Sequence, residues 1–164
     1  MKKIICLLSI LSLLLCACTS NNINRGYNTP KTFQIKLSDV VVKEKTVEHT
    51  GEKIQYAELD FIDILEKMEI DYKYNNKKIV IYYLGDKFTL FFQNENNEYM
   101  YLKNHKENEE FYFPPPGSVS FVCKKTDDKV ILDDETIWHI LREIGLPVVL
   151  DLNPEASELT ITNE

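Results

Sequence analysis

The segment from Ile70 to Leu102 constrains the fold most, because short apolar runs are separated there by pairs of turn-forming residues. Runs of apolar and β-branched residues bounded by such pairs are typical of β-strands. Asn75-Asn76 and Gly85-Asp86 leave room only for tight turns, and tight turns join antiparallel strands. We therefore predict consecutive antiparallel strands at 70–74, 78–83, 88–92 and 99–102.

Two short helices are predicted by apolar residues at the spacing i, i+3, i+4, i+7, which places them on one helix face. The first set is Phe61, Ile64, Leu65 and Met68, and the second is Ile137, Ile140, Leu141 and Ile144. Asp60 can cap the first helix, and Asp133 or Asp134 the second. Gly145 followed by Pro147 is a strong stop signal, whereas the first helix has Glu69 at the matching position.

The two helices and their surroundings match at a displacement of 76 residues. The match pairs Ile54 with Val130, Tyr56 with Leu132 and Ile70 with Leu146. A strand, a turn and another strand are predicted after each helix; in the second copy they are 147–150, 153–155 and 158–162. Two helices can share such a face by chance, or the chain contains an internal duplication with half-repeats of about 33–83 and 84–164. The predicted fold class is α+β, a small antiparallel β-rich domain with two short helices packed on its sheets.

This cassette resembles the copper amine oxidase N-terminal-like, or stalk, domain of bacterial surface proteins. The resemblance rests on Pro114-Pro115-Pro116, Val130-Ile131-Leu132, the segment 137–144, Gly145 and Leu159-Thr160-Ile161. Trp138-His139 and Leu146-Pro147 depart from the family pattern. The resemblance implies a non-catalytic surface domain. In the oxidases, copper and the quinone cofactor belong to another domain, and nothing in this sequence matches that site.

The N-terminus has the features of a signal peptide: two lysines after Met1, then an apolar segment, Ile4–Ala17, that is shorter than a membrane span. Leu15-Cys16-Ala17-Cys18 resembles the lipobox of bacterial lipoproteins. The resemblance implies cleavage between Ala17 and Cys18 and a diacylglyceryl thioether on Cys18. A secretory signal cut elsewhere and an uncleaved anchor are the open alternatives. The predicted organisation is a signal peptide at 1–17, a flexible tether at 18–32 and one α+β domain at 33–164.

Charge and cysteine content restrict the function classes. The formal net charge is −7, and removal of Lys2 and Lys3 makes it −9. An acidic balance argues against nucleic acid and against electrostatic attachment to anionic lipid. Of the four cysteines, two leave with the signal peptide and Cys18 carries lipid, so Cys123 is left without a disulfide partner. We expect Cys123 to be a buried, small apolar residue.

No pattern in the sequence indicates catalysis or a bound metal. His49, His105 and His139 are far apart, and the acidic runs at 127–128 and 133–135 lack the ligand spacing of a calcium loop. A Gly-rich phosphate loop and a GxSxG motif are both missing from the sequence. We therefore predict a non-enzymatic protein with no catalytic residues, no metal and no cofactor.

Aromatic density in the predicted strands is the one binding signal. The candidate surface residues are Tyr72, Tyr74, Tyr82, Tyr99 and Tyr101. Alternation places Ile79, Ile81 and Tyr83 on one sheet face and Val80 and Tyr82 on the other, so that both faces carry aromatic rings. The rings either fill the core and pair across strands, or form an exposed patch that contacts a partner.

These observations predict a lipid-anchored module on the extracytoplasmic face of a bacterial cell envelope, which acts without catalysis in interaction or scaffolding. It would be held at the membrane by the lipid on Cys18 and would contact an envelope protein or a cell-wall glycan, and not nucleic acid. The alternative is a ligand-binding or enzyme-inhibitor lipoprotein. It would use an aromatic sheet face or the segment 103–116, predicted as a polar surface loop (103–110) followed by a rigid proline run.

Overall fold

The computed structural model describes residues 33–47, 50–92, 99–118 and 121–163. The predicted signal peptide at 1–17, its cleavage site at Ala17, the lipidated Cys18 and the tether up to residue 32 lie outside the described residues. The predicted turn at 94–97 and His49 lie outside them as well.

The described chain forms twelve strands and two helices. In chain order they are β1 Gln34–Leu37, β2 Val41–Thr46, β3 Lys53–Asp60, α1 Phe61–Lys67, β4 Asp71–Asn75, β5 Lys78–Tyr83, β6 Asp86–Phe92, β7 Met100–Asn104, β8 Glu109–Phe113, β9 Cys123–Lys125, β10 Val130–Asp133, α2 Asp134–Glu143, β11 Val148–Asn153 and β12 Glu158–Asn163. The predicted α+β class is confirmed in its coarse form, a small antiparallel β-rich domain with two helices.

The strands form three antiparallel sheets, with the orders β1-β12-β11, β2-β3-β10-β9 and β4-β5-β6-β7-β8. The five-stranded sheet is a simple meander, because each of its strands pairs with the next one along the chain. The other two sheets join distant parts of the chain: β1 pairs with β12, and β3 pairs with β10. These two pairings bring the segments before and after the meander together.

The predicted surface loop at 103–110 is wrong at both ends. Lys103 and Asn104 belong to β7, and Glu109 and Glu110 belong to β8. Only the four residues between these strands form a turn. There the Asn104 side-chain oxygen accepts hydrogen bonds from the backbone N–H groups of Lys106 (3.0 Å) and Glu107 (3.3 Å). The high polarity of this run reflects an exposed hairpin tip, and polarity alone does not distinguish such a tip from an irregular loop.

One hydrophobic core is shared by all three sheets and both helices. Helix α1 packs on β3, β4 and β10, and α2 packs on β3, β10 and β11. The predicted apolar helix faces are buried, with Phe61, Ile64, Leu65, Ile137, Ile140 and Leu141 fully inaccessible to solvent. Strands β3 and β10 therefore lie at the centre of the fold, since both helices pack against this pair.

Three aspartates fasten the β3–β10 pair to the starts of the two helices. Asp60 caps α1 by accepting from the N–H of Ile62 (3.1 Å), and the same oxygen accepts from the N–H of Val130 on β10 (3.4 Å). Asp133 caps α2 through the N–H of Thr136 (2.9 Å). Asp134 reaches the opposite way and accepts from the N–H of Ala57 on β3 (3.1 Å). Of the two predicted caps for the second helix, Asp133 is the correct one.

The two helices end in the same way, at positions 76 residues apart. The N–H of Ile70 donates to the carbonyl of Leu65 (2.9 Å), as that of Leu146 donates to Leu141 (2.9 Å). The two residues before them, Glu69 and Gly145, both have positive φ, at 55° and 84°. This is the Schellman arrangement, in which a residue in the left-handed region reverses the chain after the last turn.

Upstream of the helices the offset changes, because α2 is three residues longer than α1. The caps Asp60 and Asp133 are 73 residues apart, so Leu59 and Leu132 occupy equivalent places at the ends of β3 and β10. The predicted correspondence of Tyr56 with Leu132, and of Ile54 with Val130, is therefore wrong. The helix ends keep the 76-residue spacing because their chain reversal and buried apolar residues match.

The two helix ends predict opposite responses to substitution. Glu69→Gly should raise the free energy of unfolding by about 1 kcal/mol, because glycine adopts positive φ without strain. Gly145→Ala should lower it by about 1 kcal/mol for the same reason, since an added Cβ at Gly145 meets no atom within 4 Å and only the backbone is strained.

Urea denaturation of the variants measures both effects. Glu69→Ala is the control, because it removes the carboxylate but keeps a Cβ at positive φ, and its effect should stay within about 0.5 kcal/mol. An equal gain in Glu69→Ala and Glu69→Gly would show that the side chain, and not the backbone, determines the stability at this position.

Candidate functional site

The five-stranded sheet has one face turned toward the rest of the protein and one turned away from it. On the inner face, Ile79, Ile81, Leu90 and Leu102 are completely buried. The neighbouring elements contact this inner face: the Tyr74 hydroxyl donates to the carbonyl of Thr126 in the β9–β10 turn (2.6 Å). The opposite face, called the outer face here, consists of Asp71, Lys73, Asn75, Lys78, Val80, Tyr82, Lys87, Thr89, Phe91, Tyr101, Lys103, Glu110 and Tyr112. The predicted alternation of Ile79 and Ile81 against Val80 and Tyr82 is confirmed by their burial.

Three aromatic rings stack across β6, β7 and β8 on the outer face. Phe91 lies directly opposite Tyr101, and Tyr101 directly opposite Tyr112. The ring centroids are 4.8 and 5.6 Å apart, with interplanar angles of 15° and 27°. The facing surfaces of these rings are therefore occupied by their neighbours. We call this set the aromatic row.

The aromatic row ends at a sheet edge, where Tyr112 is 60% exposed. Because β8 is the last strand of its sheet, one face of the Tyr112 ring has no stacked neighbour among the residues that the structure describes. The Tyr112 hydroxyl donates to Glu110 (2.9 Å), and this hydrogen bond raises the pKa of Tyr112. The row thus presents an open ring face and an oriented hydroxyl at its exposed end.

Beside the aromatic row, three lysines surround a buried threonine. Thr89 is only 2% exposed, and its hydroxyl lies 2.8 Å from Nε2 of His105 in the β7–β8 turn. Burial and the positive charges of Lys87, Lys103 and Lys78, in that order of size, lower the pKa of His105. We call Lys78, Lys87 and Lys103 the lysine cluster.

The lysine cluster has little compensating negative charge. Lys103 approaches Glu110 at 3.5 Å, the longest ion pair in the described chain, whereas Lys78 and Lys87 have no carboxylate partner among the described residues. Lys78 instead lies over the Phe91 ring at 6.0 Å from its centroid. This contact joins the lysine cluster to the aromatic row, so that the two form one continuous surface.

The structure separates the five tyrosines that the sequence suggests as a binding surface. Tyr72 and Tyr74 lie on the inner face, and a hydrogen bond to Glu66 (2.6 Å) raises the pKa of Tyr72 to about 12. Tyr82 and Tyr101 lie on the outer face, and Tyr99 precedes β7 with 58% exposure. Sequence reasoning missed Phe91, Tyr112 and the lysine cluster as members of the site. Alternation along each strand assigns them to one face, but only the hairpin registers align them.

Two concavities lie elsewhere and are shallow. One, of about 590 Å³, is lined by Gln55 and residues 151–155 around the β11–β12 turn. The other, of about 310 Å³, lies beside Trp138, whose indole N–H donates to the carbonyl of Val148 (2.9 Å). Within the described residues, no group of three or more His, Cys, Asp or Glu side chains could hold a metal ion. No helix in the described part of the chain is long and apolar enough to cross a membrane.

Cys123 lies at the start of β9, half-buried and packed against the core. Its thiol is free, and burial raises its pKa to about 11. The expected complete burial is therefore only partly confirmed. Its apolar surroundings disfavour the thiolate, and the thiolate is the nucleophilic form of cysteine.

The raised pKa predicts slow alkylation of Cys123. At pH 8, iodoacetamide should modify it about 100-fold more slowly than an unhindered model thiol of pKa 9, because the thiolate fraction is about 100-fold smaller. Peptide mass spectrometry of the folded protein over time measures the rate, and the same protein in urea is the control. A folded-state rate equal to the urea rate would contradict the protected, protonated thiol.

Comparison of the chain with protein-family models, with curated proteins and with solved structures found no match. The case for function therefore depends on the residues themselves, and the outer face is the surface with the densest combination of aromatic and cationic groups.

Proposed function

We propose that this chain is a lipid-anchored envelope protein whose domain acts as a non-catalytic interaction module on the extracytoplasmic face. One observation supports this most directly, namely the aromatic row and the lysine cluster side by side on the outer face of the five-stranded sheet. The aromatic groups and the lysines offer different kinds of contact, and they extend from β5 to β8 over a face without a deep cavity. Such a surface suits an extended partner, whereas small substrates are usually enclosed in a concave site.

The anchor part of the proposal is supported by the N-terminal sequence. A diacylglyceryl group on Cys18, with or without a third acyl chain on the new amino group, provides the two or more chains that stable anchoring requires. The fifteen residues 18–32 would form a tether with a typical span of about 20 Å. That length lets the domain reach an envelope protein or a cell-wall glycan while it remains attached to the membrane.

The internal duplication also belongs to the proposal. It is supported by the order strand, helix, hairpin that occurs twice, from β3 to β5 and from β10 to β12, and by the matching helix ends. The central strands β3 and β10 pair antiparallel, so that each copy contributes one strand to the middle of the fold. The same repeated order supports the resemblance to the stalk domains of bacterial surface proteins, which implies a structural or binding role.

Lipidation is tested by metabolic labelling of the producing bacterium with a radioactive fatty acid. Cys18→Ala should abolish the label on this protein, because the thioether cannot form. Cys16→Ala is the matched control and should keep the label. Label that persists in Cys18→Ala would overturn the anchor.

The binding role is tested with full-length Cys18→Ala protein, exported but not anchored, mixed with isolated envelope material and sedimented. We expect the protein to sediment, and the additional pair Tyr101→Ser and Tyr112→Ser to reduce the bound fraction at least fivefold, since aromatic anchors dominate such contacts. The control is Tyr56→Ser on β3, which lies in another sheet. An equal reduction in the control, or none in the double variant, would exclude the outer face as the contact surface.

A further inference from the structure

We propose that the outer face of the five-stranded sheet binds an anionic polysaccharide, with the lysine cluster contacting its acidic groups and the aromatic row its sugar rings. This inference rests on the proposed function, since it names the chemical class of the partner. It commits to a carbohydrate polymer that carries carboxylate groups.

The first argument is charge complementarity. The protein carries a net charge of −7, yet the outer face has four lysines, Lys73, Lys78, Lys87 and Lys103, against two acidic residues. At physiological ionic strength, charges more than about 8 Å apart are largely screened, so the local lysines outweigh the acidic remainder of the protein. An excess of positive charge confined to one face of an acidic protein favours an anionic ligand on that face.

The second argument is the linear layout of the contacts. Lys78, Phe91, Tyr101 and Tyr112 follow one another across β5, β6, β7 and β8, one residue per strand, at the strand spacing of about 4.8 Å. Thr89 and Lys103 form the adjacent parallel row, two residues further along each strand, or about 7 Å away. A polymer that crosses the strands would thus meet aromatic contacts along one side and ammonium groups along the other.

The geometry of the rings distinguishes a sugar polymer from a nucleic acid. The faces of Phe91 and Tyr101 are taken up by stacking within the row, so that bases cannot stack on them as they do on single-strand binding surfaces. The open face of Tyr112 accommodates one sugar ring through its C–H groups. The other rings present edges, which carry the positive end of the aromatic quadrupole and face electronegative oxygens well.

The burial of the row also argues against membrane insertion. Phe91 and Tyr101 are half-buried within the sheet surface, and only Tyr112 protrudes. Proteins that insert into the headgroup region present apolar side chains that reach about 5–10 Å into it. Aromatic rings at the level of the sheet surface contact a polymer lying on the sheet but do not reach the acyl chains of a bilayer.

Glu110 is positioned as the competitor of the ligand. It lies opposite Lys103 in the sheet, approaches its ammonium group at 3.5 Å and accepts the hydroxyl of Tyr112. A carboxylate of the polysaccharide would take its place beside Lys103 and form a shorter, charge-assisted hydrogen bond. Removal of the Glu110 charge should therefore strengthen binding.

The test is the affinity of the full-length protein, purified in a neutral detergent, for polygalacturonate, measured by isothermal titration calorimetry. Lys78→Gln, Lys87→Gln and Lys103→Gln combined should weaken binding at least tenfold. The matched control combines Lys45→Gln, Lys77→Gln and Lys129→Gln, three exposed lysines outside the cluster, and should weaken it no more than about twofold. Glu110→Gln should tighten binding about threefold, and fully methyl-esterified polygalacturonate, which lacks the charges, should not bind.

Equal weakening in the two triple variants, or equal binding of the methyl ester, would overturn the inference. So would tighter binding of single-stranded oligothymidylate or of phosphatidylglycerol vesicles than of polygalacturonate. If polygalacturonate does not bind but the protein still sediments with envelope material through Tyr101 and Tyr112, the inference fails and the proposed function stands. Loss of both would remove the binding role, whereas the labelling of Cys18 tests the anchor separately.

Discussion

The structure depends on the antiparallel pairing of β3 with β10, and buried aspartates hold that pairing to both helices. Asp133 is completely inaccessible to solvent, where an unpaired carboxylate would cost several kcal/mol. It accepts hydrogen bonds from the backbone and hydroxyl of Thr136 and from the N–H of Val122 (2.8 Å). Asp60 and Asp134 each bond across to the other strand. Because these groups have no comparable partners in an unpaired arrangement, their burial makes the β3–β10 register specific.

The meander between the two helices is a consequence of this arrangement. Strands β4 to β8 leave the centre after α1 and return before β9, so the inner face of their sheet covers the core and the other face points outward. The outer face has no part in burying Ile79, Leu90 or Leu102. Its aromatic row and lysine cluster are therefore not required by the core. That separation allows the outer face to specialise in binding without loss of stability.

Local patterns predicted the elements well, because helices and strands reflect periodicity over a few residues. The two helices, their aspartate caps and the hairpin at Asn75-Asn76 follow from spacing and turn chemistry alone. The errors arose where polarity replaced periodicity as the criterion, as at 103–110, where two polar strand ends were assigned to a loop. The matching of Tyr56 with Leu132 failed because three additional residues in α2 cannot be located without the caps.

The sequence by itself determined the strand and helix positions, the apolar face of each helix and the lipobox-like segment before the domain. Only the tertiary structure decided which side chains meet. Phe91, Tyr101 and Tyr112 are separated by about ten residues each, and β3 and β10 by about seventy. Such contacts depend on register, and a shift of one residue moves every side chain of a strand to the opposite face. The outer face as a binding surface is therefore a property of strand pairing, which local periodicity does not encode.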